Sequence, residues 1–385
     1  TEGVCSSCSL GCNVIYQHEG QLIYKVTPNR LKDDGVLCKM GKFEFDYINK
    51  SNRITRPSVK IKSVNTDISF EDVKIEFVLK LKSIKYLHGK DSIGFLVSQS
   101  LTNEELALVR ELSTQLETNM IGSVNVTGSD AQSTVKYEEL NNAELILAVG
   151  NVYESFAPMG VKIKNLKRPL ISVSTNGTRL DHFSNASYQA QNLETLFTDV
   201  LGYLTGKNKN VLGNNQAEQI ANAYKKANKP IIVIDELTVS PTIQKLLKEM
   251  AVTTRKINKP HRGLLTLKKE ANAQGAIDLG FIKSGNEILS KAKGGSIKAL
   301  VVIGEEEVDI SEIDVEYLVA MSMFPNDLTE KANLVLPLVS LAESSGTLTR
   351  TDGTVQKTNM AIKPKTGKSN YDMFNEFINY LVPQA

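Results

Sequence analysis

Short apolar runs rich in β-branched residues alternate along this chain with amphipathic stretches. Five runs are nearly continuous in apolar and β-branched residues, so they predict strands that are buried on both faces. These runs are 92–98, 145–150, 169–174, 231–235 and 299–304. Buried strands that alternate with helices are typical of parallel sheets covered on both sides. The pattern therefore predicts a Rossmann-like α/β architecture, arranged in two lobes.

Three amphipathic segments predict helices that cover these strands. Residues 70–85 repeat apolar side chains at helical spacing, including Phe70, Val73 and Phe77. Thr102 is followed by acidic residues in the next turn, which is a helix-start signal. Residues 370–381 form a third amphipathic stretch near the end of the sequence. The sheets should therefore carry helices on their faces.

Both ends of the chain have a different pattern. Near the start, 13–16 and 22–26 predict two short strands joined by a turn at 18–20. Near the end, the stretch from Leu341 to Thr349 and the one from 352 to Gln356 predict a hairpin around Asp352-Gly353. The turn 33–35 should present Cys38, and the polar stretch 206–215 should be a surface loop.

Pro57 marks a boundary between two parts of the chain. We expect residues 1–56 to form a small β-rich domain and residues 57–385 to form the α/β body. The small domain has few apolar residues, so a bound metal group should supply much of its stability.

Composition narrows the function only a little. The 385 residues are 41% hydrophobic and 23% charged, which is ordinary for a globular protein. A net charge of +2 gives no argument for binding nucleic acid. No apolar run approaches the ~18 residues of a membrane span, so we expect no direct membrane insertion. We expect a cytoplasmic protein, with peripheral attachment to a membrane through a complex as the alternative. Because Thr1 is not Met, we also expect a fragment of a longer polypeptide.

The candidate chemistry lies in the four cysteines of the chain, Cys5, Cys8, Cys12 and Cys38. Three closely spaced thiolates and a fourth from a distant loop suit a [4Fe–4S] cluster, in which each cysteine binds one iron. Structural zinc usually takes two short cysteine pairs, and only His18 lies nearby. Two disulfides would need an oxidising compartment, and no secretory signal precedes Cys5. The cluster is the preferred interpretation, with zinc and disulfides as alternatives.

These cysteines stand in a motif with a known counterpart. The motif reads Cys5-x-x-Cys8-Ser9-x-Gly11-Cys12-Asn13, followed by Leu37-Cys38-x-x-Gly41-x-Phe43. It resembles the cluster domain of the molybdopterin oxidoreductase superfamily. Within that superfamily it is most similar to the large iron–sulfur subunits of NADH:quinone oxidoreductases (complex I), and next to formate dehydrogenases. Similar stretches follow at 102–104, 121–125, 150–158, 272–280, 333–337 and 343–356.

The resemblance implies electron transfer through a [4Fe–4S] cluster and partners that are other subunits of a multi-subunit redox complex. The sequence also departs from the molybdenum members. It has no fifth cysteine to bind the metal; Asp130 or Ser133 could do so, although a surface turn explains them better. Met40 replaces a basic residue of those enzymes, and Arg350 and Thr354 replace an Asn and an Arg. The further pterin-binding domain is absent from this sequence.

We therefore expect a body without molybdopterin. The alternative is a fragment of a molybdenum or tungsten oxidoreductase such as formate dehydrogenase. Lys39 and Lys42 flank the last cysteine. A solvated face is the preferred explanation of both, and the alternative is that their charge modestly favours the reduced cluster. Gly150 and Gly304 end strand runs but lie in no GxGxxG fingerprint, so glycine turns are preferred over an NAD site. The four histidines are scattered and indicate no hydrolytic site.

Overall fold

The computed structural model describes residues 1–32, 34–124, 131–207, 215–305 and 308–381. The strands are β1 (Glu2–Val4), β2 (Asn13–Glu19), β3 (Leu22–Pro28), β4 (Ser58–Ile61), β5 (Val64–Asp67), β6 (Ile93–Val97), β7 (Ile121–Ser123), β8 (Leu145–Val149), β9 (Leu170–Ser174), β10 (Ala186–Gln189), β11 (Pro230–Asp235), β12 (Gly263–Leu267), β13 (Lys283–Ser284), β14 (Ala299–Ile303), β15 (Tyr317–Ser322), β16 (Leu334–Pro337), β17 (Gly346–Thr349) and β18 (Val355–Thr358). The helices are α1 (Lys39–Phe43), α2 (Asp46–Asn49), α3 (Phe70–His88), α4 (Asn103–Gln115), α5 (Val152–Ser155), α6 (Ala157–Leu166), α7 (Leu193–Thr205), α8 (Asn215–Lys226), α9 (Pro241–Thr253), α10 (Ala273–Asp278), α11 (Gly285–Lys293), α12 (Asp327–Lys331) and α13 (Asn370–Leu381).

The larger sheet has the strand order β13-β7-β6-β14-β15-β16-β4-β5. Its strands are parallel except for the antiparallel pairs β16–β4 and β4–β5 at one edge. All residues of β6 and β14 are buried, which confirms two of the predicted strands. Helices α3, α4 and α13 cover one face, where the rings of Phe77 and Phe377 stack 4.5 Å apart.

The smaller sheet has the order β10-β9-β8-β11-β12, and every pair is parallel. Its central strands β8, β9 and β11 are the other three predicted strands, again fully buried. The chain forms this sheet between β7 and β13, so the larger lobe is discontinuous in sequence. The predicted α/β fold is therefore confirmed.

The amino-terminal part contains the antiparallel sheet β1-β2-β3. The β2–β3 turn lies at Gly20, whose positive φ of 56° glycine adopts easily. This part has a larger core than the sequence indicated, because the tail of the chain contributes to it. The buried core residues are Val14, Tyr16, Ile23, Val26 and Ile48 together with Ala342, Ala361 and Ile362 from the tail.

Most of the other predicted elements are present. α4 begins after Thr102 in a capping box with Glu105, and α13 has the predicted bounds. β17 and β18 form the predicted hairpin, although 341–343 is a 3₁₀ turn instead of a strand. Three predicted features lie partly outside the described residues. They are the turn 33–35 at Asp33, the motif 121–125 at Asn125 and the loop 206–215 at residues 208–214. Among the helices in the described ranges, none is both long and apolar enough to cross a bilayer.

Candidate cluster site at the amino terminus

The loop with the first three cysteines connects β1 to β2 and is closed at its base. The backbone N–H of Cys5 donates to the carbonyl of Cys12 at 2.9 Å. Gly11 has a φ of 60°, which lets the loop turn before Cys12. Since β1 and β2 pair directly before and after this closure, the sheet fixes where the loop begins and ends.

Ser9, at the centre of the loop, is completely buried and anchors the loop to the body. Its N–H donates to the carbonyl of Lys268 at 3.2 Å, and its carbonyl accepts from the N–H of Thr351 at 3.0 Å. Its hydroxyl accepts from the N–H of Lys268 at 2.7 Å. These three bonds hold the loop conformation without any contribution from the sulfurs.

The fold brings the first and the fourth cysteine to the same glycine. Cys38 is the N-cap of α1, and its Sγ accepts from the N–H of Gly41 at 3.4 Å. A Cβ atom on Gly41 would lie 2.9 Å from Cys5 Sγ and 4.0 Å from Cys38 Sγ. Gly41 was part of the sequence motif, and the structure gives its physical reason: a side chain there would fill the space between two sulfurs.

Cys8 and Cys12 are half-buried and both pack against the core beside the smaller sheet. All four cysteines have free thiols in this structure. In the described part of the chain, no three Cys, His, Asp or Glu side chains surround a single ion position. Zinc would need four sulfurs about 2.3 Å from one ion, whereas a cubane gives each cysteine its own iron. The donor set of four thiols is the one that such a cluster requires.

Burial changes the acidity of two thiols, those of Cys5 and Cys8. It raises the pKa of Cys5, and it raises the pKa of Cys8 to about 12. Only the thiolate binds metal, so cluster uptake must release protons from these residues.

A cavity of about 420 Å³ lies beside Cys5, at the carboxyl ends of β6 and β14. Chain connections leave these two strands toward opposite edges of the sheet, which is where open α/β sheets bind ligands. Glu305 lines the cavity and accepts from Ser123 Oγ at 2.7 Å. Burial raises the pKa of Glu305 to about 7.

The equivalent position of the smaller sheet, between β8 and β11, is filled by the protein itself. Asp235 is completely buried, and its Oδ2 accepts from Asn151 N at 3.1 Å, Ser155 Oγ at 2.8 Å and Thr238 Oγ1 at 2.6 Å. A Cβ on Gly150 would lie 2.6 Å from Thr238 Oγ1. This packing supports the interpretation of Gly150 as a turn glycine.

Three of the sequence motifs meet in one buried hydrogen-bond network. Asn272 Nδ2 donates to Leu101 O at 2.7 Å and to Asn103 Oδ1 at 3.0 Å, and Asn272 Oδ1 accepts from Thr349 N at 2.7 Å. A Cβ on Gly275 would overlap both asparagine side chains. The motifs at 102–104, 272–280 and 343–356 therefore join α4, α10 and β17, which is a structural role.

Ser133, one of the two alternative metal ligands, makes a structural hydrogen bond. Ser133 Oγ accepts from Thr266 N at 3.0 Å and thereby holds its segment to β12. Asp130 lies outside the described residues.

Sequence reasoning missed the buried charged residues around the cysteine loop. They are Lys268, the ion pair of Arg53 with Glu343 at 2.8 Å, and the ion pair of Arg350 with Asp352 at 2.6 Å. Lys268 follows β12, which was not predicted because its sequence is short and partly polar.

Comparison with known proteins identifies the family of this chain. The sequence profile described as Molybdopterin oxidoreductase matches residues 53–380. The chain therefore belongs to the molybdopterin oxidoreductase family.

The relatives that match span several kinds of oxidoreductase. The chain is 24% identical to the putative formate dehydrogenase YrhE of Bacillus subtilis, over 97% of this chain and 48% of that protein. It is 23% identical to the G subunit of the NADH-quinone oxidoreductase of Streptomyces coelicolor, over 94% of this chain and 50% of that protein. The chain thus spans about half the length of these curated relatives.

Among solved structures, the fold is similar to that of acetylene hydratase from Pelobacter acetylenicus. The TM-score is 0.74 at 12% identity, covering 99% of this chain and 69% of that one. At this identity the likeness shows the fold alone.

Proposed function

We propose that this chain transfers electrons through a [4Fe–4S] cluster held by Cys5, Cys8, Cys12 and Cys38. The observation that carries the proposal is Gly41, which leaves open the space between two cysteine sulfurs that are distant in sequence. The bound cluster would supply a one-electron redox centre. The chain's own residues fix the loop through Ser9 and exclude a side chain at position 41.

The surroundings of the site suit an electron relay. Cys38 caps α1, whose residues Lys39 and Met40 are exposed, so the fourth ligand lies close to the protein surface. A relay needs this proximity to a partner and needs no substrate at the cluster. We propose that its partners are other subunits of an NADH:quinone oxidoreductase-type complex, in the role of a large iron–sulfur subunit. The relative named as the G subunit of an NADH-quinone oxidoreductase supports this assignment.

The division into a cluster-binding part, residues 1–56, and a body, residues 57–385, remains a prediction. The structure adds one consideration, since the tail supplies part of the amino-terminal core. A cluster-free chain should therefore keep more of its fold than the sequence alone indicated.

A molybdenum or tungsten oxidoreductase of the formate dehydrogenase type is the second candidate. The cavity at the carboxyl ends of β6 and β14 favours it, because that space could take a ligand beside Cys5. Relatives named formate dehydrogenase favour it as well. Against it, the sequence has no cysteine beyond the four of the loop site.

Metal and sulfide analysis of anaerobically prepared chain tests both candidates. We expect about four irons per chain, a dithionite-reducible EPR signal, and neither molybdenum nor pterin. Replacing any one of the four cysteines by Ala should remove or degrade the cluster. One zinc per chain without iron would contradict the cluster, and one molybdenum with a fluorescent oxidised pterin would favour the second candidate.

Gly41→Ala provides a test that leaves all four ligands in place. The added methyl would lie 2.9 Å from Cys5 Sγ, so we expect the variant to fold but to take up well under half of the wild-type iron. Met40→Ala is the matched control, because Met40 is the exposed neighbour on the same helix and should load normally. Full iron content and an unchanged EPR spectrum in Gly41→Ala would contradict the proposed position of the cluster.

A further inference from the structure

Lys268 is a buried lysine held against the cysteine loop. It is 3% exposed and directly follows β12. Its backbone makes two of the three hydrogen bonds that anchor Ser9, so the residue cannot move independently of the loop. Its Nζ donates to Gln274 Oε1 and Thr351 Oγ1, both at 3.2 Å. Thr351 in turn donates its N–H to the carbonyl of Ser9, so a single residue connects the ammonium to the cysteine loop through hydrogen bonds.

Among the residues that the structure describes, this ammonium has no carboxylate partner of the kind that the other buried cations of the region have. Arg53 pairs with Glu343 and Arg350 pairs with Asp352. Across the described ranges, no carboxylate lies within 4.0 Å of Lys268 Nζ; Glu236 and Asp278 act on it from farther away. Burying a charge without a counter-charge is costly, and proteins retain such a group where something compensates it.

We infer that Lys268 is the buried counter-charge of the cluster and favours its reduced state. The inference rests on the proposed function. A cubane bound by four thiolates is anionic, and it gains one further negative charge when it accepts an electron. A fixed positive charge nearby therefore stabilises the reduced form more than the oxidised form. Because Lys268 is shielded from water, its effect should exceed that of the exposed Lys42, which solvent and salt screen.

The test is an EPR-monitored redox titration of the full chain with its cluster, using dithionite and mediators. K268M should lower the midpoint potential, with a tenfold or larger loss of the reduced form at fixed potential, which is about 59 mV for one electron. K268R keeps the charge and should stay close to the wild type. K42M, the same substitution at an exposed site, should shift the potential less than K268M.

Each outcome decides a separate point. Unchanged potential in K268M overturns the inference, and so does an equal shift in K268M and K268R, which would indicate packing instead of charge. If K268M does not hold a cluster, K268Q is measured in its place. If K268M and K268Q both lose the cluster and K268R keeps it, the result supports a need for the positive charge. If all three variants lose the cluster, the inference is overturned. A wild-type chain without any cluster overturns the proposed function itself, whereas a cluster of unchanged potential overturns this inference alone.

Discussion

Replacing Glu343 by Gln is expected to lower the free energy of unfolding by about 3–5 kcal/mol. Glu343 is completely buried and accepts from Arg53 Nη2 at 2.8 Å, Ser340 Oγ at 2.7 Å and Lys365 N at 2.9 Å. The amide would fill nearly the same space but would leave the guanidinium of Arg53 buried without a counter-charge. Urea unfolding followed by circular dichroism measures the loss.

The loss should depend on pH in a defined direction. Burial raises the pKa of Glu343, but the guanidinium of Arg53 and the backbone N–H donors outweigh it, so the net pKa lies below the ordinary 4.5. A carboxylate with a lowered folded pKa stabilises the protein above its unfolded pKa, and that contribution disappears as the pH falls through the folded value. The difference between wild type and Glu343→Gln should therefore shrink below about pH 4.5. A difference that stays constant down to pH 3 would contradict this explanation.

Two further variants separate the ion pair from the rest of the site. The double variant Arg53→Met with Glu343→Leu removes both charges and should recover part of the lost stability, since a buried pair replaced by apolar residues is often neutral. Glu2→Gln breaks a pair with Lys32 in which both side chains are about half exposed, and we expect no measurable change. A double variant as unstable as Glu343→Gln would show that Arg53 is not the cause.

Whether a strand could be predicted from the sequence depended on its length and composition. The five buried strands were predicted because apolar residues dominate each run. β12 was not predicted because its apolar part is only three leucines between basic residues, and β7 has only three residues. Such strands form because neighbouring strands already offer hydrogen-bonding edges, which is tertiary information.

The candidate site also has one part that the sequence indicates and one part that it does not. The spacing of the cysteines pointed to the four candidate ligands, because a [4Fe–4S] cluster limits how closely spaced thiolates can be placed. The support around them depends on contacts between distant parts of the chain, such as Ser9 with Lys268 and Arg53 with Glu343. No local pattern around Lys268 indicates that its side chain is buried, since a run of two lysines usually marks an exposed loop.

Replacing Lys268 by Met in the cluster-free chain should abolish a rise in stability with pH. Burial lowers the pKa of Lys268 from 10.5 to about 8. Between these values the unfolded chain binds the proton and the folded chain does not, so the stability of the wild type increases as the pH rises from 8 to 10.5. A difference of 2.5 pKa units corresponds to about 3 kcal/mol. The advantage of K268M over the wild type should thus fall by about 3 kcal/mol between pH 7 and pH 10.5.

Urea unfolding of both proteins across this pH range, after iron removal, measures the effect. The titrations of all other lysines are common to both proteins and cancel in the difference, and packing changes at the site do not vary with pH. K42M, the same substitution at the surface, should run parallel to the wild type. Parallel curves for K268M and the wild type would contradict a buried, uncompensated lysine.

The same comparison on chains that carry the cluster should give a different result. The cluster supplies the missing negative charge, so the buried ammonium gains a partner that methionine cannot use. The stability advantage of K268M at pH 7 should therefore decrease or reverse.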